Sequence, residues 1–207
     1  MIPRYQKILF LLLLVASLAM GAELWHLRER AHQRLLAGEN SAPTKAPVIA
    51  PAEQATLLVA NDADGSLTPQ ARSLPLPSDP GARARAVLGQ LLDLYAAPDA
   101  AHHLAGGASG LAQVFLLPIP ADAHKAAGEL AVVNLTSSFA STHPSGIETE
   151  SLTILSICGT LRANLPEVTE VRFLIDGQPR ATLAGHADLT RTYLTADAVP
   201  VAGTAHE

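Results

Sequence analysis

Residues Thr136–Leu189 read TSSFASTHPSGIETESLTILSICGTLRANLPEVTEVRFLIDGQPRATLAGHADL, and this stretch decides the fold. Ile147, Ile154, Cys158, Leu161 and Leu165 are spaced 7, 4, 3 and 4, with Ser151 filling the missing place. That spacing predicts one apolar face of an α-helix. Glu148 and Glu150 fall in its first turn, where free amides and the helix dipole favour a carboxylate. Pro166 stops the helix. Val171, Phe173 and Ile175 then alternate with polar neighbours, a strand period. Asp176-Gly177 is a tight-turn signal, and Ala181–Leu183 is the expected returning strand.

Upstream, Ala55–Ala60 has the length of a strand, and Asn61–Gly65 reads as a turn. Asp62 and Asp64 superficially suggest a calcium loop. However, no acid closes a twelve-residue loop where a bidentate carboxylate is needed. Ser66–Pro75 is the return strand. Asp79-Pro80 is a helix start, with an N-cap acceptor followed by proline. Ala84, Val87, Leu88, Leu91, Leu94 and Tyr95 mark the buried face, and Pro98 closes the helix. Residues 99–112 read as a flexible loop. His102-His103 has no companion ligands at metal-site spacing, and Gly106–Gly110 lacks the lysine of a phosphate loop. Gln113–Leu117 and Glu129–Leu135 complete the strands. The pattern is α/β of the α+β type: a mixed sheet with two helices packed on one face.

The remaining segments flank that domain. Residues 1–27 carry Arg4 and Lys7 before an apolar run from Ile8 to Ala22, with Tyr5 and Trp25 at its ends. We read a signal anchor, a single membrane helix with the N-terminus in the cytoplasm. The alternative is a signal peptide cleaved after Gly21, which leaves the chain secreted. No cysteine follows the run, so a lipid anchor is not expected. Residues 28–39 continue as a helical stalk, and 40–54 are a Pro/Ala-rich linker. The domain occupies 55–195, and 196–207 form a flexible tail.

The search for chemistry returns little. There is no Gly-x-Ser-x-Gly nucleophile elbow. His143, His186 and Asp188 would have to converge for a hydrolase. Cys158 is the only cysteine and falls on the apolar helix face, as a small core residue. Gly159, unfavourable in mid-helix, suggests close approach to a strand. Residues 35–207 carry 9 Lys and Arg against 17 Asp and Glu, hence a charge of −8. Without a basic stripe, nucleic acid is not an expected partner.

Several motifs together resemble the GerMN domain of spore germination and sporulation proteins. They are Val132–Phe139, Gly146 and Glu150 at the helix start, and Thr160-Leu161. Val171–Gly177 and Leu183–Leu189 complete the set. The resemblance covers about residues 55–195. Asn134 stands where the pattern leads one to expect an acid. The resemblance implies a fold similar to the ring-building motifs of secretion and sporulation complexes. It also implies a non-enzymatic binding or scaffold module, without cofactor or metal. The expected partner is an envelope protein or peptidoglycan, on the extracytoplasmic side of the membrane. The alternatives are an oligomeric structural component and, behind it, a histidine-dependent hydrolase. Candidate binding residues are His143, Glu150, Asp176, Gly177, Gly185, His186 and Asp188.

Overall fold

The fold comes from a computed structural model, which describes residues 51–121 and 126–198 together with isolated positions between 6 and 25. Most of the expected membrane helix, the stalk, and most of the linker and tail lie outside the described residues. Among those described, no helix is long and apolar enough to cross a membrane.

Two sheets and two long helices make the domain. Strands β1 (Ala52–Asn61) and β2 (Ser66–Pro75) pair antiparallel as a separate two-stranded hairpin. Strands β3 (Leu111–Ile119), β4 (Gly128–Leu135), β5 (Val168–Ile175) and β6 (Tyr193–Leu194) form a mixed sheet in that spatial order. The β4–β5 pair is parallel and its neighbours are antiparallel. Helix α1 (Pro80–Tyr95) follows the hairpin, and its N-cap Asp79 accepts the Ala82 amide at 2.7 Å. A short helix α2 (Ser137–Thr142) is capped by the Thr136 hydroxyl. Helix α3 (Ile147–Asn164) then crosses over to β5.

The loop before β3 is more ordered than its composition suggests. Gly107–Gly110 is a 3-10 turn, and Asp93 of α1 holds it by accepting the Ala108 amide at 2.7 Å.

The core departs from the expected pattern at α3. Ile154, Cys158, Leu161 and Leu165 are buried as the spacing predicts, but Ile147 is 73% exposed. Leu152, Thr153, Ser156, Ile157, Gly159 and Thr160 are buried as well. The helix is therefore enclosed nearly all round, because the hairpin packs on it opposite the sheet. A single apolar stripe describes a surface helix, not one covered on both sides.

The hairpin's outer edge explains why polar residues line that second side. Alternate amides of β1 point away from β2, and three of them find a side chain. Thr56 N–H donates to Asn164 Oδ1 at 3.0 Å, Leu58 N–H to Thr160 Oγ1 at 2.9 Å, and Ala60 N–H to the Tyr95 hydroxyl at 2.9 Å. Asn164 Nδ2 returns a bond to the Thr56 carbonyl at 2.7 Å. Two helices thus supply the partners that a neighbouring strand would have supplied, which also blocks the edge to further pairing. Gly159 permits the contact, since a Cβ there would lie 2.3 Å from Leu58 Cδ2 and 3.0 Å from the Ala198 carbonyl oxygen.

The predicted return strand is not at Ala181–Leu183. Asp176 and Gly177, with φ of 47° and 74°, do make the turn, but pairing ends after the single bridge between Ile175 and Gln178. Pro179 follows and has no amide to donate. The chain instead forms a closed loop, and β6 is the segment that pairs with β5 at Glu170 and Val171.

Two substitutions test this packing. Tyr95→Phe leaves the Ala60 amide without its acceptor and is expected to cost about 1–3 kcal/mol in urea unfolding. Gly159→Ala, a good helix substitution elsewhere, is expected to destabilise by about 1–3 kcal/mol through overpacking against Leu58.

Candidate functional site

Glu150 sits near the start of α3 with no exposed surface, and it accepts five hydrogen bonds. Its Oε2 takes the amides of Ala184 at 3.0 Å, His186 at 3.0 Å and Ala187 at 2.8 Å. Its Oε1 takes the Gly146 amide at 3.2 Å and faces His186 Nδ1 at 3.0 Å. Burial by itself would push the carboxyl upward. The three loop amides and the His186 ring outweigh it and bring the pKa down to about 2. The capping expected of Glu150 is present at Gly146, but the larger part of its bonding fixes the 181–189 loop.

That loop closes on itself through Leu183 N–H to the Ala187 carbonyl at 3.1 Å and Leu189 N–H to the Ala181 carbonyl at 2.9 Å. Gly185 lies near its tip with φ of 129°, opposite Ser145. The loop presents His186 to a cleft of about 310 Å3 lined by Ser151, Leu155, His186, Ala187, Asp188, Arg191 and Tyr193. The Arg191 guanidinium carbon lies 4.4 Å from the centroid of the Tyr193 ring, a cation–π pair. Tyr193 in turn donates its hydroxyl to the Asp188 carbonyl at 2.6 Å. Because Glu150 is an acceptor, it favours a proton on Nδ1 of His186. Nε2, the other ring nitrogen, has no partner among the described residues.

The predicted site residues do not all meet. Glu150, Gly185, His186 and Asp188 share this corner of the molecule. Asp188 accepts from the Thr190 amide at 2.8 Å and hydroxyl at 2.6 Å, which hold its carboxyl below the usual range. Asp176 and Gly177 belong to the turn after β5. Asp176 accepts the Ser137 amide at 3.1 Å, and Gly177 donates to Asn134 Oδ1 at 2.7 Å. The amide oxygen of Asn134 thus does there what a carboxylate oxygen would do. His143 is buried, with Nε2 at 2.8 Å from the Thr153 hydroxyl and Nδ1 at 2.7 Å from the Pro144 carbonyl. His143, His186 and Asp188 therefore form no constellation. Ser145 reaches His186 at 3.3 Å, but on Nδ1, the same nitrogen that Glu150 occupies. A serine nucleophile needs the opposite nitrogen of its base, so this is not a triad.

Sequence reasoning missed His102, which is fully buried between Asp62 and Thr153, and the Arg191–Tyr193 pair. In the sequence His102 stands out only as half of a His-His pair. Nothing in the periodicity marks Arg191 or Tyr193. Among the described residues no group of three His, Cys, Asp or Glu side chains is placed to hold a metal ion.

Comparison with known proteins bears on the family. The model of the family "Germane: Sporulation and spore germination" matches residues 56–181, well over half of the chain. The chain belongs to the Germane family. The GerMN resemblance read from the motifs is thereby shown. Among solved structures, the tandem GerMN domains of the sporulation protein GerM from Bacillus subtilis are 16% identical, with a TM-score of 0.43. The match covers 70% of this chain and 47% of that one, so this chain spans about half its length. The first GerMN domain of the same protein is 16% identical at a TM-score of 0.36, covering 66% and 92% of the two chains. A putative lipoprotein from Clostridium perfringens is 19% identical at a TM-score of 0.32, covering 74% and 95%. No curated protein matches.

In this Germane domain the buried carboxylate gives stability a definite pH dependence. The folded pKa of Glu150 lies below its ordinary value of 4.5, so its contribution is complete above that value and is lost as pH falls toward about 2. Glu150→Gln is expected to cost on the order of 3 kcal/mol near neutrality, because loop amides lose a charged acceptor. The gap between wild type and variant should narrow in thermal unfolding below about pH 4. A gap that stays constant down to about pH 3 would contradict the assignment.

Proposed function

We propose that this Germane chain is a non-enzymatic binding or scaffold module. In this reading the N-terminal apolar segment tethers it to the cell membrane, and the domain works on the extracytoplasmic side. Its partner there is an envelope protein or peptidoglycan. The contact site in this reading is the cleft beside His186.

The observation that carries the proposal is the Glu150-fixed loop. Four hydrogen bonds to a buried carboxylate hold a short surface loop in one conformation, which is the preorganisation that recognition requires. The cleft offers a charged Arg191 stacked on Tyr193, an imidazole with a free nitrogen, and the apolar Leu155. These are contact groups for a polar polymer or a protein surface. The ring geometry of His186 supports binding over hydrolysis, since both its neighbours occupy one nitrogen.

A second reading, self-association, is favoured by the outer face of the four-stranded sheet. Phe115 and Leu117 of β3 are 47% and 49% exposed, and Leu194 of β6 is 48% exposed. The half-buried Val132 and Leu130 stand opposite the first two.

Co-sedimentation of the full chain with purified peptidoglycan, and photocrosslinking from Ser151 in intact envelopes, test the cleft. Arg191→Ala and His186→Gln are expected to weaken capture roughly tenfold each, the loss of one charge-assisted or polar contact of about 1.5 kcal/mol. The unfolding midpoint of Arg191→Ala should stay near wild type, while that of His186→Gln should fall, because the variant also withdraws a donor from buried Glu150. If capture persists in both variants, and Phe115→Glu abolishes a self-crosslink instead, the sheet face is the working surface.

A further inference from the structure

A line of polar side chains crosses the domain interior away from the cleft. Asp62, in the turn of the β1–β2 hairpin, lies 2.6 Å from His102 Nδ1. His102 Nε2 lies 2.8 Å from the Thr153 hydroxyl of α3, and His143 Nε2 lies 2.8 Å from that same hydroxyl. His143 Nδ1 ends the line at the Pro144 carbonyl, 2.7 Å away. Both rings and Thr153 are buried, while the Asp62 side chain is 37% exposed. The Thr153 hydroxyl also lies 3.1 Å from the Thr149 carbonyl.

Proton counting restricts the charge of this line. Ionised Asp62 and the Pro144 carbonyl only accept, so both Nδ1 atoms must carry hydrogen. If both rings are neutral, each then presents a lone pair on Nε2 to Thr153. One hydroxyl hydrogen cannot serve two acceptors, and one 2.8 Å contact becomes lone pair against lone pair. If both rings are charged, both Nε2 atoms donate and the hydroxyl turns to Thr149. That state buries two cations with ring centroids 6.5 Å apart. One added proton satisfies every contact of the line. His102 Nε2–H donates to Thr153, Thr153 donates to His143 Nε2, and the Thr149 carbonyl keeps its helical bond.

We propose that His102, Thr153 and His143, with Asp62 at the outer end, form a one-proton lock between the hairpin and α3, with the charge on His102 and His143 neutral. The surrounding groups fit this distribution. The hairpin turn contributes Asp62, whose partly hydrated carboxylate balances the His102 cation. Tyr95 of α1 lies edge-on to the His102 ring at 4.7 Å between centroids. Phe139 of α2 stands similarly against His143 at 5.7 Å. Glu150, one turn before Thr153, is already committed to its five donors. Burial holds the His143 imidazole below its ordinary range, which favours its neutral form.

The lock makes the hairpin seam sensitive to acid. Lowering pH forces a second charge toward His143, whose imidazole burial holds below its ordinary value of 6.5, so the unfolded chain takes that proton first and stability falls.

Nitrogen-15 NMR of the histidine rings in the full-length chain at about pH 7 tests the assignment directly. The expected result is a His102 ring with hydrogen on both nitrogens and a His143 ring with hydrogen on Nδ1 alone. Two neutral rings, or two charged ones, would overturn it. Asp62→Asn removes the carboxylate that balances the charge and is expected to leave both rings neutral in the same spectra. An unchanged His102 ring pattern in Asp62→Asn also sinks the proposal. Thr153→Ser keeps the hydroxyl and should retain the wild-type ring pattern, and Thr153→Val should abolish it.

Discussion

The buried carboxylate of Glu150 is the constraint on which the functional end of the molecule depends. A charge with no exposed surface must be met by donors, and in this domain most of them belong to one loop. The amides of Ala184, His186 and Ala187 converge on a single oxygen. That convergence fixes the 181–189 loop although it has no strand partner. The loop in turn fixes His186, the line of the cleft and the approach to Tyr193. A surface loop would ordinarily be the least determined part of a small domain. In this domain a helix side chain determines it.

The hairpin poses the opposite problem. Two strands alone are marginal in water, and a long bare edge invites pairing with other chains. The helices answer with Asn164, Thr160 and Tyr95, which take the alternate amides of β1. This is why the second side of α3 is buried yet polar. The same seam holds His102 and His143 around Thr153. Polar groups in such a place must be fully satisfied, because a low dielectric magnifies any bond left unmade. The seam is therefore specific: it admits one register of hairpin on helix, since a slip of one residue would turn the β1 amides away from their acceptors.

The chain belongs to the Germane family, and its His186 corner is described by geometry alone. The described residues hold polar groups in fixed positions at a surface. Fold alone does not set a partner, so the reading as a binding module rests on the cleft rather than on likeness.

The local elements follow from residues and their chain neighbours. Asp79-Pro80 starts a helix wherever it is placed before an apolar face, and Asp176-Gly177 turns the chain because it accepts positive φ. Alternation marked β5, the run of aliphatic residues marked β4, and several motifs together marked the family. The candidate site was legible only in part: Glu150, Gly185, His186 and Asp188 gather as motif neighbours, while Asp176, Gly177 and His143 serve other parts of the fold. No local pattern shows that Ile147 faces outward, that β6 rather than Ala181–Leu183 pairs with β5, or that Glu150 anchors a loop as well as capping a helix. The tertiary structure alone brings His102 within reach of Asp62 and of the Thr153 hydroxyl that His143 also faces. The physical reason is common to all of these. Turn and cap preferences are set by a residue and its chain neighbours, whereas burial and hydrogen-bond partners are set by what arrives from elsewhere in the chain. The partners of Glu150 and Thr153 lie up to 51 residues away.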